Sequence, residues 1–177
     1  MSSLSESLSD DGTAFGGWLS VPDSVTAEHV GRLGFDYVCI DTQHGFIEYS
    51  AAVGMIQGIL LGGSVPVVRV PWNEPGIIGK MLDAGAHAVI VPMVNTVEDA
   101  EAAMAAGSYA PDGSRSYGPT ATVTRPDVPY VDWARERTTV IPMIETVEAI
   151  ANLDDILTVP GIEAVYVGPA DLSLTLG

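Results

Sequence analysis

Apolar residues in this chain fall in short β-rich runs separated by stretches with helical spacing. The runs that read as strands are Phe15–Ser20, Tyr37–Asp41, Pro66–Val70, Ala88–Val91, Val140–Ile144 and Ala164–Val167. Between them, start and stop signals mark helices. Asp23 or Ser24 caps a helix running to Arg32, with Gly34 closing it, and Tyr49–Leu61 ends at Gly62-Gly63. Pro75 stands where a first helical turn tolerates proline, ahead of Ile77–Leu82. Thr96-Val-Glu-Asp has the form of a capping box for a helix through Ala106, and Thr146–Leu157 follows the fifth strand.

Strands that are apolar on both faces and joined by helices imply a parallel sheet covered on both sides. Two architectures satisfy that, a doubly wound sheet and a (β/α)8 TIM barrel of the α/β class. The first announces itself by a glycine-rich turn after its opening strand, and FGGWLSVPD has no G-x-G-x-x-G spacing. The barrel fits better. Such a barrel needs eight strands where six are counted, so the pattern predicts one interrupted after its sixth strand. Residues 13–177 then form the single incomplete barrel domain. Residues 1–12 precede it as an acidic tail, or as a short helix over Ser3–Leu8 plugging the barrel floor. The connection Gly107–Val128 lacks periodicity, as a long functional or disordered loop does.

In barrel enzymes the active site is built at the C-terminal ends of the strands. Those ends read Ser20, then Asp41 with His44, Arg69, Pro92 with Asn95, Glu145, and Gly168-Pro-Ala-Asp171. A histidine, an arginine and carboxylates at successive ends of one sheet converge on a shared mouth. Glu145 and Asp171 follow neighbouring strands, about 4.8 Å apart, so both can reach one cation. All-oxygen ligation with room for water suits Mg²⁺ or Mn²⁺. The plainer reading makes each acid a helix or turn cap. Arg69 lies in an apolar strand, where an unpaired charge is costly. It either pairs with a structural acid or faces the mouth to bind an anionic oxygen, and the second is favoured. His44 is a general-base candidate because imidazole titrates near neutrality. Asp83 in KMLDAGAH is placed to orient it, or is a helix-end acid. His29 and His87 look ordinary. Trp18, Trp72 and Trp133 read as packing residues, the first two close enough to strand ends to line a pocket. Arg115 is the notable base of the long loop.

Charge narrows the partners. The sequence has 23 acids against 7 bases, a net charge of −16, with Lys80 as the only lysine. That balance argues against binding nucleic acid or an anionic membrane. An acid-rich, lysine-poor surface also suits a halophilic protein, since dense counterions screen self-repulsion. Lys80 falls within a helical segment, which disfavours a Schiff-base mechanism. Cys39 is a lone cysteine in an apolar strand, a packing residue. No apolar run approaches the length of a membrane span and the N-terminus lacks a signal-like core, so a cytoplasmic protein is expected.

Taken together, FGGWLS, IDTQHG, VPVVRVP, MLDAGAHAVIVPMV, the Tyr109–Gly118 loop, IETVEAIANLDDIL and VYVGPADLSLTLG resemble the HpcH/HpaI aldolase family over nearly the whole chain. These are metal-dependent (class II) pyruvate aldolases such as 4-hydroxy-2-oxoheptanedioate aldolase. The resemblance implies cleavage or formation of 4-hydroxy-2-oxo acids to or from pyruvate and an aldehyde. It implies a divalent cation (Mg²⁺, Mn²⁺ or Co²⁺) and a homo-oligomer, hexamer or trimer, that exchanges its final helix. By position it makes His44 the base and Arg69 the stabiliser of the enolate. Asp83 becomes the acid that raises the histidine's basicity, and Glu145 and Asp171 become metal ligands. Gly168, Pro169, Ala170 and Asp171 form the substrate-binding segment, Ala170 contacting the carboxylate through its backbone. Met143 stands where many members have glutamine, and Ser116 where glycine is usual. A lyase acting on acyl-CoA, as in citrate lyase β-subunit relatives, is the second enzyme reading, but CoA phosphates call for bases that are scarce here. A non-catalytic barrel fragment serving assembly is the third.

Overall fold

The computed structural model describes Leu4, residues 13–120 and residues 127–177. Six strands form one sheet: β1 Gly16–Leu19, β2 Tyr37–Asp41, β3 Val65–Arg69, β4 Ala88–Val91, β5 Thr139–Ile144 and β6 Tyr166–Val167. Their spatial order is their chain order, and each neighbouring pair is parallel. A doubly wound sheet reverses direction at a switch point. This one does not, and it curls. The rings of Trp18 on β1 and Tyr166 on β6 lie 5.7 Å apart, although their strands are the two edges of the sheet. The expected barrel progression is therefore present as a curled six-stranded sheet.

Eight helices cover its outer face: α1 Ser24–Gly31, α2 Tyr49–Gly62, α3 Pro75–Ala84, α4 Val97–Gly107, α5 Tyr130–Arg137, α6 Val147–Ala151, α7 Leu153–Ile156 and α8 Pro169–Leu176, counted among the described residues. The Asp23 side chain caps α1, Glu74 caps α3 ahead of Pro75, and Thr96 with Asp99 closes the expected capping box on α4. Three features differ from the sequence reading. The segment expected as one helix after β5 breaks at Asn152 into α6 and α7, because the Asn152 side chain donates to the Asn95 carbonyl at 2.8 Å. The helices α5 and α8 carried no clear periodic signal. None of the described helices is long and apolar enough to cross a membrane.

Pleat alternation splits the apolar residues into two cores. Val38, Ile40, Val68, Val89, Val91, Val140 and Ile144 point outward and pack with the helices. There α1 and α2 approach backbone to backbone: a Cβ on Gly58 would lie 2.5 Å from the Ser24 carbonyl oxygen. Cys39, Val65, Val67, Ala88, Ile90, Ile141 and Met143 point inward, with Leu4 buried among them. Apart from Leu4, the expected N-terminal tail or Ser3–Leu8 plug lies outside the described residues.

Candidate active site

The inward rows do not stay apolar to the top. Cys39 is followed two residues on by Asp41, Val67 by Arg69, and Met143 by Glu145. Each of these polar residues thus shares the inward face at the C-terminal end of its strand. Of these, the sequence reading gave Asp41 no role of its own, yet it is the hub. Arg69 donates to it through Nε at 3.0 Å and Nη2 at 2.5 Å, and the pair is nearly buried, with side chains 11% and 4% exposed. The backbone N–H groups of Gln43 and His44 both donate to Oδ1 at 3.1 Å, and the Trp18 indole N–H to Oδ2 at 3.3 Å. Trp18 also lays its ring against the Arg69 guanidinium, 5.1 Å from centroid to Cζ. Burial pushes the Asp41 carboxyl up, but Arg69, the His44 N–H and Trp18 more than offset it and hold it below the usual range. The two alternatives for Arg69 are not exclusive: it stands on the inward face at the mouth and also pairs with Asp41, two donors to two oxygens. The strand-end acid followed by Gln43 and His44 was the visible signal for this turn. His44 itself is pinned by its backbone, with its imidazole exposed on the loop.

Glu145, only 1% exposed, accepts the Met93 N–H through Oε1 at 2.7 Å. Met93 makes that contact from a left-handed backbone, φ 56°, a conformation that costs an L-residue about 1–2 kcal/mol. The loop is bolted from the next residues: the Thr146 hydroxyl donates to Asn95 Oδ1, and Asn152 Nδ2 to the Asn95 carbonyl. Burial raises the Glu145 pKa. The Met93 N–H opposes that, the Asp171 charge adds to it, and Arg69 and His44 oppose it again. Four of the sequence candidates, Glu145, Asp171, Arg69 and His44, therefore lie close enough for their charges to act on Glu145. Asp171 stands in the first turn of α8, behind Gly168 at the N-cap and Pro169. Gly168 is required by contact: a Cβ there would sit 2.4 Å from Met143 Cε and 2.8 Å from Glu145 Oε2. Proline has no N–H, and the N–H groups of Ala170 and Asp171 precede the first intrahelical bond, Leu172 to Gly168.

Among the described residues, no group of three or more His, Cys, Asp or Glu side chains is arranged to hold a metal ion. Two adjacent carboxylates, one with its proton affinity raised by burial and by the other's charge, nonetheless fit a hard divalent cation. Such an ion is commonly held by one or two carboxylates, with water and substrate completing its shell.

Asp83 is not brought to His44 within the chain. It lies near the C-terminal end of α3, which approaches the start of β4, whereas His44 stands beyond the end of β2. The helix runs antiparallel to the strands, so the two residues occupy opposite ends of the sheet. The partner of Asp83 is Arg115, whose Nη2 donates to it at 2.6 Å and to the Tyr130 hydroxyl at 3.2 Å. Arg115 is thus a buried anchor of the long loop, its guanidinium 4.4 Å from the Tyr109 ring centroid. Trp133 stacks on Tyr130 and meets His87 edge-on, while Trp72 is exposed. Burial pushes the Cys39 thiol up, in keeping with a packing role.

Residues 15–177 match the family model for HpcH/HpaI aldolase/citrate lyase. The chain is 45% identical over 164 residues to a hydroxypyruvate/pyruvate aldolase of Rhizorhabdus wittichii, covering 93% of this chain and 65% of that protein. It is 41% identical to a 4-hydroxy-2-oxo-heptane-1,7-dioate aldolase of Salmonella arizonae, covering 90% of this chain and 62% of that protein. The chain thus spans somewhat less than two thirds of the length of these relatives. The crystal structure of an HpcH/HpaI aldolase/citrate lyase family protein from Burkholderia cenocepacia superposes with a TM-score of 0.90 at 32% identity, covering 98% of this chain and 71% of that one. That of the citrate synthase SbnG gives 0.88 at 34% identity, covering 99% and 69%. Matched to this extent in sequence and fold, the chain belongs to the HpcH/HpaI aldolase/citrate lyase family.

Proposed function

We propose that the chain carries the catalytic mouth of a metal-dependent pyruvate aldolase, cleaving or forming 4-hydroxy-2-oxo acids to or from pyruvate and an aldehyde. The observation that carries this reading is the convergence of Glu145 and Asp171 with Arg69 and His44 at one end of the sheet. Glu145 and Asp171 would hold a divalent cation (Mg²⁺, Mn²⁺ or Co²⁺), which when bound supplies Lewis-acid polarisation of the 2-oxo acid. The first turn of α8 receives the substrate carboxylate. Its free N–H groups at Ala170 and Asp171 lie at the positive end of the helix, and Gly168 and Pro169 set its approach.

In cleavage the C3–C4 bond breaks, its electron pair passes to C3 as pyruvate enolate, and the 4-hydroxyl loses its proton as the aldehyde forms. In this reading His44 takes that proton, directly or through a water, and returns it during condensation. Arg69 contributes fixed positive charge beside the developing enolate, and its bonds to Asp41 hold it there without reorganisation. Lys80 lies within α3 and not at a strand end, in keeping with chemistry that forms no Schiff base. The acyl-CoA lyase reading gains no support from Arg32, at the C-cap of α1, or from Arg135 and Arg137, in the last turn of α5, which lie away from this mouth.

The test is exchange of the pyruvate methyl protons for deuterium, followed by NMR in concentrated KCl with Mn²⁺ or with EDTA. Exchange with Mn²⁺ that EDTA removes, and that Glu145→Ala loses, is the expected result. Exchange retained in rigorously metal-free buffer defeats the mechanism.

A further inference from the structure

The proposed aldolase reading leaves the aldehyde open, and the distribution of charge around the mouth speaks to it. A helix that follows a parallel strand begins at the mouth, and its unpaired N–H groups and positive dipole end make a natural seat for an anionic substrate group. Here the protein's own carboxylates stand at those positions, and three of them are bonded to N–H groups there. Asp23 accepts the Thr26 N–H at the start of α1, and Glu74 accepts the Gly76 and Ile77 N–H groups at the start of α3. Asp99 accepts the Asn95 and Thr96 N–H groups at the start of α4. Glu48 is the N-cap residue of α2, and Glu148 stands in the first turn of α6. The α8 terminus alone among them begins with a glycine cap, and that one is assigned above to the 2-oxo acid carboxylate.

The bases are disposed the other way. Arg32 follows the last turn of α1, and Arg135 and Arg137 stand in the last turn of α5, all at the opposite end of the sheet. Arg115 is buried on Asp83, and the Lys80 ammonium sits 4.2 Å over the Tyr49 ring in the outer helix layer. Arg125 lies outside the described residues. At the mouth itself Arg69 is the described base, and Asp41 takes two of its donors. The loops after β2 and β3 instead expose apolar rings there, Phe46 at 83% and Trp72 at 58%. The Phe46 backbone is fixed by its N–H bond to the Ser20 carbonyl at 2.9 Å.

We infer that the acceptor is an uncharged aldehyde and not one bearing a carboxylate, phosphate or sulfonate. An anionic tail would have to displace the carboxylates seated at the starts of α1, α3 and α4 or lie beside Glu48 and Glu148 at those of α2 and α6, in a field set by a net charge of −16. Like charges brought together at a binding surface cost heavily, and apart from α8 no basic seat among the described residues offsets that cost. An uncharged chain loses nothing to the field and gains apolar contact at Phe46 and Trp72.

A matched pair of acceptors tests it: butanal and succinic semialdehyde, equal in carbon number and differing by one carboxylate. The specificity constant for condensation with pyruvate is measured for each in about 0.1 M and about 1 M KCl, where the screening length falls from about 10 Å to about 3 Å. Pyruvate deuterium exchange is run on the same samples. The expected result is a preference for butanal of about tenfold or more at low salt, shrinking at high salt as the exposed carboxylates are screened. Glu48→Lys, at an exposed cap residue whose side chain makes no cap bond, should shrink the low-salt ratio severalfold. Succinic semialdehyde used as well as butanal at low salt, with exchange intact, overturns the uncharged-acceptor inference alone. Absence of Mn²⁺-dependent exchange overturns the aldolase reading, and this inference with it.

Discussion

Among the described residues, the nearly buried Arg69 and the buried Arg115 meet their carboxylates in opposite ways. Arg69 offers two donors to both oxygens of Asp41, and Asp41 is further loaded with three N–H groups. Arg115 offers one nitrogen to Asp83, and its Nε and Nη1 have no hydrogen-bond partner among the described residues. Its guanidinium is served by aromatic faces, Tyr109 at 4.4 Å and Tyr130 at 6.0 Å. In the first pair the acid is the better buried member, and in the second the arginine is. The difference teaches where direction matters. A charge that must point at a reacting group is held by a forked pair saturated with donors. A charge that only fastens a loop is satisfied by one ion contact and by rings, which tolerate small rotations.

Breaking the first pair should have the larger effect. Asp41→Ala leaves Arg69 uncompensated, and a loss of about 3–5 kcal/mol is expected in urea unfolding. Pyruvate exchange should fall on the order of a hundredfold as Arg69 and the His44 loop lose their registration. The same pair has a pH signature. The folded Asp41 carboxyl lies below its ordinary value, so its contribution is fully present above the unfolded pKa of about 3.9. That contribution is lost as pH falls from there through the folded value, and the acid limb of the stability curve should be shallower in Asp41→Ala than in the parent. Arg115→Met should cost less, about 1–3 kcal/mol, because the Asp83 left behind is partly exposed and can hydrate. Its specific mark is faster proteolytic cleavage in the loop after α4. The baseline for both is the exposed pair Arg32–Glu28, where Arg32→Ala should change stability by about 0.5 kcal/mol or less. An Arg32 effect as large as that of Arg115 would collapse the distinction between anchoring and surface pairs.

Much of this arrangement was legible in the chain. Strands such as Tyr37–Asp41 and Ala88–Val91 stood out because they are apolar on both faces, and their polar last residues drew attention to the mouth. The helix α8 was hidden by its own sequence. In DLSLTL apolar and polar residues alternate with a strand-like period, and none of its residues is buried. The helix α5 buries only Tyr130 and Ala134, too little to imprint a stripe. At the site, Glu145 and Asp171 could be read from the strand ends. The role of Asp41 as hub could not, because its donors come from β1, from β3 and from a turn whose path no local pattern specifies. The Asp83–Arg115 pairing was equally out of reach, since it joins a helix end to an irregular loop 32 residues away. Nor does any composition signal announce that Met93 turns left-handed to present its N–H to Glu145.

The alternation that lifts Asp41, Arg69 and Glu145 onto the inner face has a consequence for how such a gene can change. Inserting or deleting one codon inside β2, β3 or β5 would invert the facing of every residue beyond it. The acid or arginine would be delivered into the aliphatic layer beneath the helices, with Ile40, Val68 or Ile144 moved into the mouth. Length variation is therefore forbidden within the strands and permitted in the connections between them. On the aldolase reading, descendants of this chain can acquire new acceptors by lengthening the loops that follow the strands at the mouth, such as 42–48 and 70–74, while the strands keep their residue count.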